Sequence, residues 1–133
     1  MINIVLVSHG ELGAALIQAA AMIAGHSDGV YSVPLLPGES PEAYGEKLSV
    51  ALEPIEGDGI LILIDLFGGT PYNVAEREAL KERVECVTGA NLPMLLEVLM
   101  SRDETPLSDL AAAATVAGQE SVRNLGEMLA GRG

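Results

Sequence analysis

One cysteine, Cys86, is all the 133 residues contain, which excludes an internal disulfide and any multi-cysteine metal site. Its setting, Val84-Glu85-Cys86-Val87, alternates as a strand does, so the thiol is expected to act as a small buried hydrophobe with no chemistry of its own. Histidines are nearly as scarce. His9 and His26 have no carboxylate or thiolate cluster at ligand spacing beside them, so no metal and no cofactor is expected. Basic residues are few: seven Lys and Arg stand against nineteen Asp and Glu, leaving a formal charge of -12. Nucleic-acid phosphates would be repelled by such a chain, whereas a protein with a basic face would be attracted. No apolar run approaches the roughly 20 residues that span a bilayer, so no membrane insertion is expected. Neither Gly-x-Gly-x-x-Gly nor the P-loop pattern follows the first apolar run, and a bound nucleotide is therefore unsupported.

What the chain does contain is an alternation. Its length suits one compact domain, taken as residues 1–133. Four apolar runs, at residues 2–7, 29–35, 59–64 and 84–87, are rich in Val, Ile or Leu and bounded by Gly, Asp or Pro, as buried parallel strands are. The first begins almost at Met1 and passes directly into Ser8-His9-Gly10 without a basic leader, so it reads as a strand and not as a signal peptide; a reducing cytoplasm fits. Between the first two runs, Leu12, Ala15, Leu16, Ala19, Ala20 and Ile23 recur at helical spacing and are expected to form one buried face. Ser40-Pro41, Thr70-Pro71 and Thr105-Pro106 each place a capping hydroxyl before a proline suited to the first helical turn, and so predict three helix starts. A helix over 93–101 buries Met94, Leu95, Val98 and Leu99, and a last one turns Leu107, Leu110, Ala111, Ala114 and Ala117 inward. His26, just after Ala24-Gly25, is expected at the surface, and Gly131-Arg132-Gly133 reads as a tail. The expected fold is α/β: a three-layer, doubly wound, mainly parallel sheet of strand order 2-1-3-4.

Such sheets bind ligands beyond the carboxyl ends of their strands, where the winding reverses. In the order 2-1-3-4 the first and third strands are neighbours, so His9 at one tip meets Asp65 at the other. A carboxylate that accepts a hydrogen bond from one imidazole nitrogen fixes the tautomer and leaves the other nitrogen free as a nucleophile. A phosphoryl group accepted there would bring about two negative charges. Gly68-Gly69-Thr70-Pro71 follows at once, a glycine turn leading into a helix whose free amides and Thr70 hydroxyl suit phosphate oxygens. Taken singly, His9 reads as a polar loop residue, Asp65 as a turn former and the glycines as punctuation. Their convergence at one switch point carries the functional reading.

Three segments, Val7-Ser8-His9-Gly10, Asp65-Leu66-Phe67-Gly68-Gly69-Thr70-Pro71-Tyr72-Asn73 and Gly89-Ala90-Asn91-Leu92-Pro93-Met94-Leu95, resemble the motifs of the mannose-family EIIA domains of the sugar phosphotransferase system, and the resemblance extends over essentially the whole chain. It implies a phosphotransferase in which His9 accepts a phosphoryl group from phospho-HPr and passes it to a IIB domain during sugar uptake. Asp65 would orient His9, while Gly68, Gly69 and Thr70 would surround the phosphate. The resemblance further implies a homodimer with an antiparallel C-terminal strand exchanged between copies, for which Ser121-Val122-Arg123-Asn124-Leu125 is a poor strand by propensity. Three other readings remain open: a regulatory EIIA-like phosphoprotein, a receiver-like domain phosphorylated on Asp65, and a non-enzymatic module binding a small anion. The receiver reading lacks the acidic pair after the first strand that would hold magnesium.

Overall fold

A computed structural model describes residues 1–131; Arg132 and Gly133, two residues of the expected tail, lie outside the described residues. The apolar runs form four parallel strands, β1 (Asn3–His9), β2 (Val30–Leu35), β3 (Ile60–Ile64) and β4 (Val84–Thr88). Their order is β2-β1-β3-β4, the expected one. The register aligns Val7 with both Val33 and Ile64, and His9 with Leu35, so β1 and β3 end side by side.

Because side chains alternate across a strand, the sheet divides the core in two. Ile4 and Leu6 join Leu61 and Leu63 beneath α1 (Leu12–Ala24), α4 (Leu92–Ser101) and α5 (Leu107–Glu120). Val5 and Val7 join Ile62 and Ile64 beneath α2 (Pro41–Leu52) and α3 (Thr70–Glu78). Both strands are covered on both faces, which is why their sequences are continuously apolar and not alternating. Ser8 follows Ile4 and Leu6 toward α1, and His9 follows Val5 and Val7 toward α3. Among the described residues no helix is long and apolar enough to cross a membrane.

Three expectations need correction. The buried face of α1 is Gly13 and Ala20, with Leu16, Ile17 and Ala24 packed beside them, while Leu12 and Ile23 are 47% and 64% exposed. In LGAALIQAAAMIA nearly every residue is apolar or small, so periodicity does not set the phase. Contact does: a Cβ at position 13 would come within 2.9 Å of Leu6 Cβ and of Ser32 Oγ, and only glycine lets the helix lie that close to β1.

Of the three expected caps, only Ser40 acts as one, its Oγ accepting the Ala43 amide at 3.1 Å ahead of Pro41. Gly69 takes the boundary position before α3, so Thr70 is already helical and its side chain cannot reach back over the first turn. Pro106, not Thr105, precedes α5, and no side chain caps that helix. Asn91 does for α4 what a Ser or Thr was expected to do elsewhere, accepting the Met94 amide at 2.9 Å. Finally, residues 121–124 form no strand, and α6 (Leu125–Ala130) occupies the place of the implied antiparallel strand. The physical reason is local, since Asn124 accepts the Glu127 amide at 3.2 Å and starts a helix where strand propensity is low. His26 is exposed as expected. Cys86 is half-buried in β4, and burial, followed by the Glu85 and Glu78 charges, pushes its thiol up to about 11, so it stays protonated.

Candidate active site

The parallel register brings the tips of β1 and β3 together, and the Asp65 amide donates to the Val7 carbonyl at 3.1 Å, one residue beyond the end of β3. Asp65 is thereby carried to the mouth of the sheet with its side chain only 8% exposed, facing His9, which is 50% exposed. Two contacts converge on one carboxylate oxygen. His9 Nδ1 lies 2.9 Å from Asp65 Oδ2, and the His9 backbone amide donates to the same oxygen at 3.0 Å. A carboxylate can only accept, so Nδ1 carries the hydrogen and the neutral ring keeps its lone pair on Nε2. The other oxygen, Oδ1, is buried without a hydrogen-bond partner among the described residues.

Nε2 faces the start of α3. A Cβ at Gly69 would stand 3.8 Å from Nε2 and 3.6 Å from Cε1, whereas one at Gly68 would meet nothing within 4 Å. Gly68 and Gly69 have φ of 97° and 87°, in the region that side chains disfavour, and this pair of residues makes the turn from β3 into the helix. No backbone acceptor takes the amides of Gly68, Gly69 or Thr70 within the described residues. Pro71 has no amide to offer, so the donors beside Nε2 are those of the turn and the first helical residue. Together with the positive end of the helix they make a place for an anion one atom's reach from Nε2.

The floor of the site is fixed by neighbouring groups. Gly10 donates its amide to the Leu35 carbonyl at 2.8 Å, tying the turn after His9 to β2. Tyr44 is fully buried, donates to the Val33 carbonyl at 2.5 Å, and keeps its proton because burial first, then the Asp65 and Glu39 charges, push its phenol well above the ordinary value. Leu12, at the start of α1, and Leu66 and Phe67, in the turn after β3, are 47%, 57% and 75% exposed. The structure thus brings together His9, Asp65 and Gly69, with Gly68 and Thr70 on the adjoining turn. Sequence reasoning passed over Ser8, whose hydroxyl accepts the Gly13 amide at 3.0 Å. The available signal was a small polar residue in the inward phase of an otherwise aliphatic strand.

Fold and site together define a doubly wound α/β protein with a carboxylate-oriented histidine at its switch point. The family model described as the PTS system fructose IIA component, EIIA-man, matches residues 3–115. The chain therefore belongs to the mannose-type EIIA family of the phosphotransferase system. It is 37% identical over 131 residues to the PTS system fructose-specific EIIA component of Bacillus subtilis, covering 97% of this chain and 90% of that protein. Identity to the PTS system mannose-specific EIIAB component of Escherichia coli K12 is 39% over 127 residues, 93% of this chain but only 39% of that protein, so the chain spans about two fifths of that longer relative. Among solved structures, phosphotransferase system component EIIA from Streptococcus agalactiae superposes with a TM-score of 0.85 at 28% identity, over 96% of this chain and 99% of the other.

Proposed function

We propose that this chain is a phosphohistidine carrier of the sugar phosphotransferase system, with residues 1–133 acting as one EIIA domain in the cytoplasm. The observation that carries the reading is the single oxygen Asp65 Oδ2 held 2.9 Å from His9 Nδ1, which leaves Nε2 as the ring's lone-pair nitrogen toward the turn at Gly69. In the transfer, the Nε2 lone pair attacks the phosphorus of phospho-HPr, the bond from phosphorus to the donor atom breaks, and the donor leaves with that electron pair. The reverse attack, by a nucleophile of a IIB domain, discharges His9. Asp65 stabilises the positive charge that grows on the ring as the Nε2–P bond forms, and the ring passes back to the neutral form on discharge.

Gly68, Gly69 and Thr70 would bind the phosphoryl oxygens. Charge-assisted bonds contribute about 1.5–3 kcal/mol each, against about 0.3–1 for a helix dipole alone, so directed amides outweigh the dipole. Leu12, Leu66 and Phe67 offer the apolar rim on which HPr and the IIB domain would dock in turn, and exposed Glu11 beside them favours partners with basic faces. Asp65 as the phosphorylated residue is disfavoured by its burial and by the two hydrogen bonds already on Oδ2. A homodimer is supported by the groove along β4, a cavity of about 630 Å³ whose lining includes Phe67, Tyr72, Met94 and Val122, beside the one strand edge that pairs with β3 alone among the described residues.

Incubation with phosphorylated HPr, followed by intact mass measurement, tests the reading. Wild type should gain the mass of one phosphoryl group and His9→Ala none; an equal gain in both would refute it.

A further inference from the structure

The hydroxyl of Ser8 stands where the sheet offers no reason for one. Ser8 is 2% exposed and continues the inward series Ile4 and Leu6, both in the apolar core under α1. Its Oγ accepts the Gly13 amide at 3.0 Å, and its hydrogen turns to the Gly10 carbonyl at 3.3 Å. Gly13 is in the first turn of α1, a position usually served by the side chain at the helix boundary, but Glu11 stands there with φ -90° and ψ 14° and makes no such bond. The strand therefore caps its own following helix. The two bonds close a loop from Ser8 to Gly13, and that loop contains His9.

The position of His9 depends on that loop in a specific way. Its backbone amide and its ring both address Asp65 Oδ2, at 3.0 and 2.9 Å. A rotation of the Ser8–His9 peptide would move amide and ring together and could not preserve both contacts. On the far side, Gly10 is held by its 2.8 Å bond to the Leu35 carbonyl. On the near side the peptide is restrained by the Ser8 hydroxyl, against which Gly13 packs so closely that a Cβ at position 13 would come within 3.2 Å of Ser8 Oγ.

We propose that Ser8 is a positioning residue for phosphoryl transfer: its hydroxyl holds the β1–α1 turn so that one carboxylate oxygen fixes the backbone and the ring of His9 together, keeping the hydrogen on Nδ1 and the lone pair on Nε2. This rests on the carrier reading above but goes beyond it, because the imidazole tautomer can be read without any transfer. In Ser8→Ala the orphaned Gly13 amide turns the loop, the neutral His9 ring populates the Nε2–H tautomer, and the transfer rate falls by up to about 100-fold, the scale on which a small displacement of a reacting group acts.

The experiment uses the full chain with 15N-labelled histidine, comparing wild type, Ser8→Ala and Ser8→Thr. Long-range 1H–15N spectra report the His9 tautomer in the unphosphorylated protein, rapid-quench kinetics with phosphorylated HPr report the maximal rate and KM, and thermal unfolding reports stability. The expected result is a shifted tautomer in Ser8→Ala, a lower maximal rate with unchanged KM, and recovery of tautomer and rate in Ser8→Thr, which retains the hydroxyl. A wild-type tautomer in Ser8→Ala overturns the proposal, as does a Ser8→Ala chain that no longer folds, since the hydroxyl would then hold the fold and not the histidine. If the tautomer shifts but no protein accepts phosphate, the carrier reading fails, and Ser8 sets the His9 tautomer without a part in transfer.

Discussion

At the scale of single residues, the site trades stability for chemistry. Asp65 is buried with Oδ1 unpaired among the described residues, so the two bonds on Oδ2 offset its loss of hydration only in part. Asp65→Asn keeps the shape and an acceptor but removes the charge that stabilises the ring as it becomes positive. Transfer should slow by about 10–100-fold, the range typical when a histidine loses its orienting carboxylate, while thermal unfolding occurs at the same or a higher temperature. A large loss of stability in Asp65→Asn would contradict this account. The two glycines separate space from strain. Gly68→Ala and Gly69→Ala place a methyl on backbones of similar positive φ, so each should destabilise by about 1–3 kcal/mol. Only the methyl at 69 enters the space beside Nε2, at 3.8 Å. Phosphorylation kinetics compared at equal folded fraction should therefore be far slower for Gly69→Ala than for Gly68→Ala, and equal rates would remove Gly69 from the phosphate site.

At the scale of elements, start signals that look alike in sequence do different work. Ser40 and Thr70 both precede proline, yet Ser40 has extended backbone angles and accepts an amide, whereas Thr70 is the first residue inside its helix. Ser40→Ala should lower unfolding free energy by about 1 kcal/mol in urea titrations. Thr70→Ala should leave stability within about 0.5 kcal/mol of wild type, as surface substitutions do, and should act on transfer instead, because its hydroxyl is free for the phosphoryl group. The difference arises because Gly69 takes the boundary position before α3, so no side chain caps that helix and its start lies beside the His9 ring.

At the scale of the whole molecule, charge governs encounter. A formal charge of -12 attracts a basic partner from beyond contact distance, and salt with a Debye length of about 10 Å at 0.1 M screens that attraction. Stopped-flow association with HPr should slow steeply as salt rises, while the rate of transfer within the complex changes little, since Asp65 is shielded from solvent. A salt-independent association rate would show that the apolar rim of Leu12, Leu66 and Phe67 directs the encounter instead. The sheet supplies the rigid frame for this exchange, with β1 and β3 packed on both faces by separate cores that meet only through the sheet.

The sequence by itself determined the strands and placed His9 and Asp65 at strand tips that meet if the order is 2-1-3-4, the order the structure has. Buried parallel strands are written as continuous Val, Ile and Leu, and their alternation with helices implies a parallel sheet but leaves its strand order open. It also marked Gly68, Gly69 and Thr70, because a glycine turn before a helix is a local feature. Only the tertiary structure decided which face of α1 is buried, since a helix apolar on all sides takes its phase from the contact of Gly13 with Leu6 and Ser32. The same is true of Ser8, whose partner is five residues away across a turn that periodicity does not describe. It also replaced the implied C-terminal strand by α6, where the Asn124 cap expresses a local preference and no fifth strand pairs with the sheet among the described residues. Local chemistry is written residue by residue, whereas phase, reach and edge pairing depend on which surfaces come into contact.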